Sequence, residues 1–133
     1  MRALTDPLAR ILISAIFVYS GISQLMHFDS TARVIAERGI PLATIAAAIA
    51  ILIDLVGSAM LIIGWQTKLA AVILFIYLIP VTVMYHNFWA APPQMHEMQL
   101  LNFLKNLGIM GGLLILATRG AGASSVDASR SRH

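Results

Sequence analysis

No cysteine occurs in the 133 residues of this chain, and charged residues make up only 11% of it. The missing thiols exclude disulfides, thiolate nucleophiles, thiolate-bound zinc and cysteine-ligated iron–sulfur clusters. Any redox role must therefore rest on a bound cofactor or a partner. The scarcity of charge is matched by 59% hydrophobic residues, against about 45–50% apolar and 25% charged residues in soluble domains. Such a composition leaves too little polar surface to clothe a water-soluble globule. Also missing are a nucleophilic triad, a phosphate-cradling glycine loop and a paired-carboxylate site, which argues against a stand-alone enzyme.

What is present is a series of long apolar blocks. They lie at about residues 8–26, 40–63, 69–85 and 100–117, each close to the length of helix that crosses ~30 Å of hydrocarbon. The sequence thus predicts an all-α fold, an integral membrane four-helix bundle occupying residues 1–117 as one domain in a lipid bilayer. The first block follows Arg2 and Arg10 as a signal peptide would, yet no small-x-small cleavage pattern follows it, so it reads as a retained span. Pro41 suits the first turn of the second helix, where its missing N–H has no partner to lose. Pro80 predicts a kink in the third, and Pro92 and Pro93 exclude a helix through the middle of the loop 86–99. The Ser-, Gly- and Arg-rich stretch 118–133 reads as a disordered tail.

The net charge of +3 does not point to nucleic acid, because the basic residues flank apolar blocks, where they orient membrane helices. Arg2, Arg10, Lys68, Arg119, Arg130 and Arg132 belong to one side; Arg33 and Arg38 belong to the other. The excess places both termini in the cytoplasm, with residues 27–39 and 86–99 facing outward. Trp65 and Trp89 then fall at opposite interfaces, where indole rings prefer to sit.

Charge inside a span is costly, about 2.5–3.5 kcal/mol on the insertion scale, and usually faces the bundle interior. Asp54 lies near the middle of the second span and Lys105 about five residues into the fourth, at depths that differ by roughly 10 Å. A direct ion pair is not demanded, and Lys105 has the alternative of snorkelling to the outer surface. Asn102, Lys105 and Asn106 share one face of the fourth span, Ser20 and Gln24 one face of the first with Tyr19 nearby, and Asp54 and Ser58 one face of the second. Three polar stripes predict a cavity or seam inside the bundle, open toward the outer side; the alternative is a solid bundle whose polar groups satisfy one another. The candidate ligand-binding residues are Asp54, Lys105, Asn106, Gln24, His86, Asn102 and Tyr19.

Gly108 and Gly112 form a G-x-x-x-G beside Gly111, which suits close packing within the bundle or in a homo-oligomer. His27, His86 and His96 gather on the outward side, but without the spacing of a metal site. His86 with Tyr85, Phe88 and Trp89 reads instead as an interfacial aromatic cluster able to hold a ring-shaped ligand.

Several segments carry a likeness to a known family: Tyr19 to Leu25 as Y-S-G-I-S-Q-L followed by Phe28, an acidic residue within the second span, G-W-Q-T-K-L-A-A from Gly64, H-N-F-W from His86, and F-L-K-N-L-G-I-M-G-G-L-L from Phe103. With these, residues 8–117 resemble the DoxX-like membrane proteins. Gln24 stands where the family often has lysine, and Asp54 where it often has glutamate. The resemblance implies a four-helix membrane fold in a bacterial inner membrane. It also implies a link to quinone-dependent redox complexes, among them a thiosulfate to quinone oxidoreductase, and to oxidative-stress resistance. The expected role is an accessory or binding subunit holding a quinone or another small amphipathic molecule between helices. An oligomeric exporter and a membrane anchor for soluble redox partners are the rival readings.

Overall fold

A computed structural model describes residues 2–131. Four long helices, α1 (Arg2–Met26), α3 (Ala43–Ile63), α4 (Thr67–Tyr85) and α5 (Pro93–Arg119), are joined by a shorter helix α2 (Phe28–Glu37) and a single 3-10 turn at Phe88–Ala90, and α6 (Val126–Arg130) closes the chain. Four segments are long and apolar enough to cross a membrane: Leu4–Met26, Ala43–Ile63, Thr67–Ala90 and Pro93–Arg119. The four apolar runs are recovered as spans; the first, third and fourth helices continue into polar sequence beyond the apolar run, whereas α3 begins only at Ala43, so Pro41 precedes the helix and does not sit in its first turn. At 27 residues, α5 is about 40 Å long, so it stands well clear of a ~30 Å core.

Helix α1 packs on α3, α3 on α4, and α4 on α5. The shared core is small and apolar, built on Phe17, Leu61, Ala70, Ala71, Leu74, Leu78 and Leu113. Elsewhere the long side chains point outward: Leu12, Leu52, Ile76 and Ile115 are all exposed, as a lipid-facing surface requires. Gly21 lets α1 approach α3 beside Asp54, where a Cβ would lie 2.6 Å from Leu55 Cδ2 and 3.0 Å from Asp54 Cβ. Of the fourth-span glycines, Gly112 lies against Ile13 of α1, where a Cβ would be 2.5 Å from Ile13 Cδ1, while a Cβ at Gly108 or Gly111 would enter open space.

Three segments differ from the sequence expectation. The polar stretch after Met26 forms a helix, α2, with Ile35 turned inward and Asp29, Arg33 and Glu37 exposed. Pro92 and Pro93 do not keep the rest of the 86–99 loop irregular: Pro93 opens α5, where a fixed φ and a missing N–H are both suited to the first turn. The tail expected to be disordered is folded as far as Ser131; His133 and Arg132 lie outside the described residues.

That tail is held by polar contacts to the α3–α4 turn. Gln66, the residue just before α4, has a left-handed backbone and no side-chain cap of its own. Asp127 supplies the cap from 60 residues away: its carboxylate accepts from Gln66 N–H at 2.7 Å and Thr67 N–H at 2.9 Å, while its own N–H donates to Gly64 O at 2.9 Å. Beside it, the buried Arg10 guanidinium donates to Ser124 O at 2.6 Å and to Leu61 O at 3.4 Å. The first turns of α1 and the segment after α5 therefore meet at one end of the bundle.

Asp127 also gives the tail a pH dependence. Burial pushes its carboxyl upward, but the backbone donors of Thr67 and Gln66, with Arg130 nearby, outweigh this and hold it below the usual carboxylate range. A depressed folded-state value stabilises docking above the unfolded carboxylate range, ~3.9, and that contribution is lost as pH falls through the lower folded value. Hydrogen exchange at the Gln66 and Thr67 amides is expected to stay protected down to about pH 4 and to open below it, and Asp127→Asn is expected to loosen the same amides at neutral pH. Equal protection in that variant would exclude the cap.

Candidate functional site

Between the α1–α3 pair and the α4–α5 pair lies a cavity of about 680 Å³, within the usual range for small-molecule sites. Its wall is mainly apolar, with Ile16, Phe17, Ile49, Leu78, Val81 and Ile109 prominent. It reaches from the middle of the spans to the end of the bundle where α2 lies, and Ser30, Thr31, Val34 and Ile35 of α2 form part of the wall there.

Polar groups converge at its deep end. Asp54 is 1% exposed, at the centre of the 21-residue helix α3. Its Oδ2 accepts from Gln24 Nε2 at 3.0 Å and from the Tyr77 hydroxyl at 3.4 Å, and the Ser20 hydroxyl is within hydrogen-bonding reach. Gln24 also donates to Ser20 Oγ at 2.6 Å. The one-turn spacing of Ser20 and Gln24 stacks them on one face of α1, and Gly21 between them brings that face up to α3. Among the described residues, the partners of Asp54 are all uncharged. A second polar chain lies on the opposite wall: Asn106 Nδ2 donates to Thr82 Oγ1 at 2.9 Å, and that hydroxyl donates to Leu78 O at 2.6 Å.

At the mouth, His86 lines the cavity and its Nδ1 is 3.0 Å from Gln99 Oε1. Arg38, the residue just after α2, donates to Met84 O and lies 4.9 Å over the Tyr85 ring. This contact ties α2 to the end of α4 across the opening.

The structure thus brings together four of the residues singled out in the sequence: Gln24, Asp54, His86 and Asn106 all line the cavity. Three others stand apart from it. Lys105 is exposed and Tyr19 is 72% exposed, both directed away from the bundle, and Asn102 is half-buried outside the cavity wall. The reason is angular: neighbours on a helix are separated by ~100°, so with Asn106, Ile109 and Leu113 turned inward on α5, Lys105 faces outward. The expected aromatic cluster is centred on Phe88, in edge contact with Trp89, His96 and Phe103 at 5.2, 5.7 and 5.3 Å, and His86 is not a member. The three histidines are not brought together. His27 Nδ1 meets Ser23 O, and His96 Nδ1 meets Phe88 O.

Tyr77, Thr82 and Arg38 were not singled out from the sequence. A signal existed for the first two: with Tyr85 they carry the only hydroxyl groups between Leu69 and Tyr85. Arg38 had none, since its partner is a backbone carbonyl 46 residues away.

A DoxX family model matches residues 6–87, the segment that contains Ser20, Gln24, Asp54 and Tyr77. The chain belongs to the DoxX family. Inner membrane protein YphA of Escherichia coli is 32% identical over 120 residues, covering 90% of this chain and 86% of that protein. Inner membrane protein YqjF of the same organism is 28% identical over 119 residues, with the same coverage. The ER-derived vesicles protein ERV29 of Saccharomyces cerevisiae is 31% identical over 77 residues, but this chain spans only 25% of its length. No solved structure matches. With its four apolar spans, this DoxX-family chain is a multi-pass protein of the inner membrane.

Proposed function

We propose that this DoxX-family protein is a membrane-embedded binding protein that holds a small amphipathic molecule in the cavity between α1, α3, α4 and α5. In this reading it serves quinone-linked redox or oxidative-stress metabolism as an accessory subunit. One observation carries the proposal: an apolar cavity of about 680 Å³ has a buried carboxylate at its deep end. A carboxylate at that depth is costly, and in a purely structural bundle an apolar residue would pack there without that cost. Gln24, Asp54, Tyr77 and Asn106 contact the polar atoms of the ligand, Ile16, Ile49, Val81 and Ile109 its body, and His86 stands at the mouth. Lys105 plays no part in this arrangement.

We place the tail end of the bundle in the cytoplasm on the Lys and Arg excess there, which turns the cavity mouth and α2 toward the outer face. Native mass spectrometry of protein released from nanodiscs, with no ligand added, tests the binding role. A retained organic mass is the expected result, and a quinone-class mass would support the redox assignment. A chain that always flies free of small molecules would overturn it.

A further inference from the structure

Which ligand the cavity prefers follows from how its hydrogen bonds are already directed, an argument that rests on the binding role proposed above. At the deep end, Gln24 has two amide hydrogens, and both are used, one on Ser20 Oγ and one on Asp54 Oδ2. The single hydroxyl hydrogen of Tyr77 is directed at the same carboxylate oxygen, and Ser20 is within reach of that carboxylate too. In the bonds from Gln24 and Tyr77 the Asp54 carboxyl accepts, and each of its oxygens, like the amide oxygen of Gln24, has two lone-pair positions. The capacity left over around Asp54 is therefore mainly acceptor capacity, in the remaining lone pairs of the Asp54 carboxyl and of Gln24 Oε1. A further feature has the same sense. Asp54 is 1% exposed with only uncharged partners among the described residues, so positive charge on a ligand would meet no competing cation there.

We propose that the Asp54 end of the cavity selects a ligand whose polar end is a hydrogen-bond donor, an O–H or an N–H, over one that ends in a carbonyl. A donor head meets these remaining lone pairs. A carbonyl head turns lone pairs toward lone pairs and leaves buried acceptors without partners, the situation that makes a polar site reject an analogue lacking its donor. For a ring compound of the quinone class, the preferred form is then the reduced diol rather than the dione. Asn106, which uses one amide hydrogen on Thr82, is free to donate to an acceptor elsewhere on the ligand, on the α5 wall.

The test uses three probes that share one compact apolar body: adamantanamine, adamantanol and adamantanone. Each is equilibrated with the full-length protein in nanodiscs and corrected for partitioning into empty nanodiscs. The amine and the alcohol are expected to bind at least about tenfold more tightly than the ketone, the scale of one unmet buried hydrogen bond. An amine well ahead of the alcohol identifies charge as part of the recognition, and equality identifies the hydroxyl as sufficient. Asp54→Asn places an amide N–H where the carboxylate was and is expected to narrow or reverse the order. That change is one a merely destabilised bundle cannot imitate. A ketone that binds the unaltered protein as tightly as the alcohol overturns the donor preference. Failure of all three probes, while native mass spectrometry still finds a retained molecule, overturns it as well and leaves the binding role standing. Failure of the probes together with an empty mass spectrum removes the binding role itself.

Discussion

Gly64→Val is expected to deprive the protein of most of its stability in mild detergent. Gly64 ends α3 in the left-handed region at φ +71, with its N–H bonded to Leu61 O and the next N–H, on Trp65, bonded to Met60 O. A β-branched residue in that conformation is strained by about 1–3 kcal/mol. Strain is the smaller part. A Cβ at residue 64 would be driven into the Arg10 guanidinium and would lie 2.5 Å from Ser125 Cβ. Arg10 is 1% exposed and already holds Leu61 O and Ser124 O. Displacing it forfeits hydrogen bonds from a charged donor, worth about 1.5–3 kcal/mol each. The combined loss of strain and two hydrogen bonds, on the order of 4–9 kcal/mol, is comparable with the 5–15 kcal/mol total of an ordinary domain.

Unfolding in mixed micelles of rising dodecyl sulfate content measures that loss, and Arg10→Met gives it a cause. With the guanidinium gone, Gly64→Val retains only the strain and the Ser125 contact. The double-mutant cycle is then expected to show a coupling of about 1–3 kcal/mol. If valine costs the same with and without Arg10, the crowding around the guanidinium is not the source. The same experiment bears on the tail, because Arg10 ties Ser124 O to Leu61 O while Asp127 holds the Gln66 and Thr67 N–H groups. Loosening either is expected to expose the chain after Arg119 to trypsin.

How much of this was legible beforehand depended on the kind of signal. The four spans were legible because hydrocarbon thickness imposes a minimum apolar length that nothing local can imitate. The Asp54 site was partly legible for a related reason: a polar residue in a span must find polar company, and Ser20, Gln24 and Asn106 stand at helical spacing on facing helices. Lys105 shows the limit of that reasoning. The cost of a buried charge says that the side chain avoids the lipid core, but inward pairing and outward snorkelling avoid it equally well. Only the roll of α5, set by Leu113 and Gly112 against their neighbours, chooses between them. Helix α2 and the tail were not legible because their stabilising partners are remote. Ten residues of modest polarity do not nucleate a helix alone, and Asp127 caps a helix that begins 60 residues earlier, a relation absent from any local pattern.

Ala50→Phe, the second large effect, is expected to move binding and stability in opposite directions. Ala50 lines the cavity from α3, one turn toward the mouth from Asp54 and so on the same face. A benzyl group there projects into space the proposed ligand uses, and binding is expected to fall at least about tenfold, or 1.4 kcal/mol. The protein itself gains. A benzyl group lying on the apolar wall adds dispersion contacts without displacing a packed side chain, so the unfolding midpoint is expected to rise or stay unchanged. Leu52→Phe serves as the control: Leu52 is on the same helix but 61% exposed toward lipid, and neither quantity is expected to change. Retention of the ligand by Ala50→Phe would place the binding site elsewhere. The opposed signs are what separate a site from structural glue. A residue that only holds helices together loses stability when altered and takes binding down with it. A wall that leaves room for a ligand gives up affinity while the fold grows firmer.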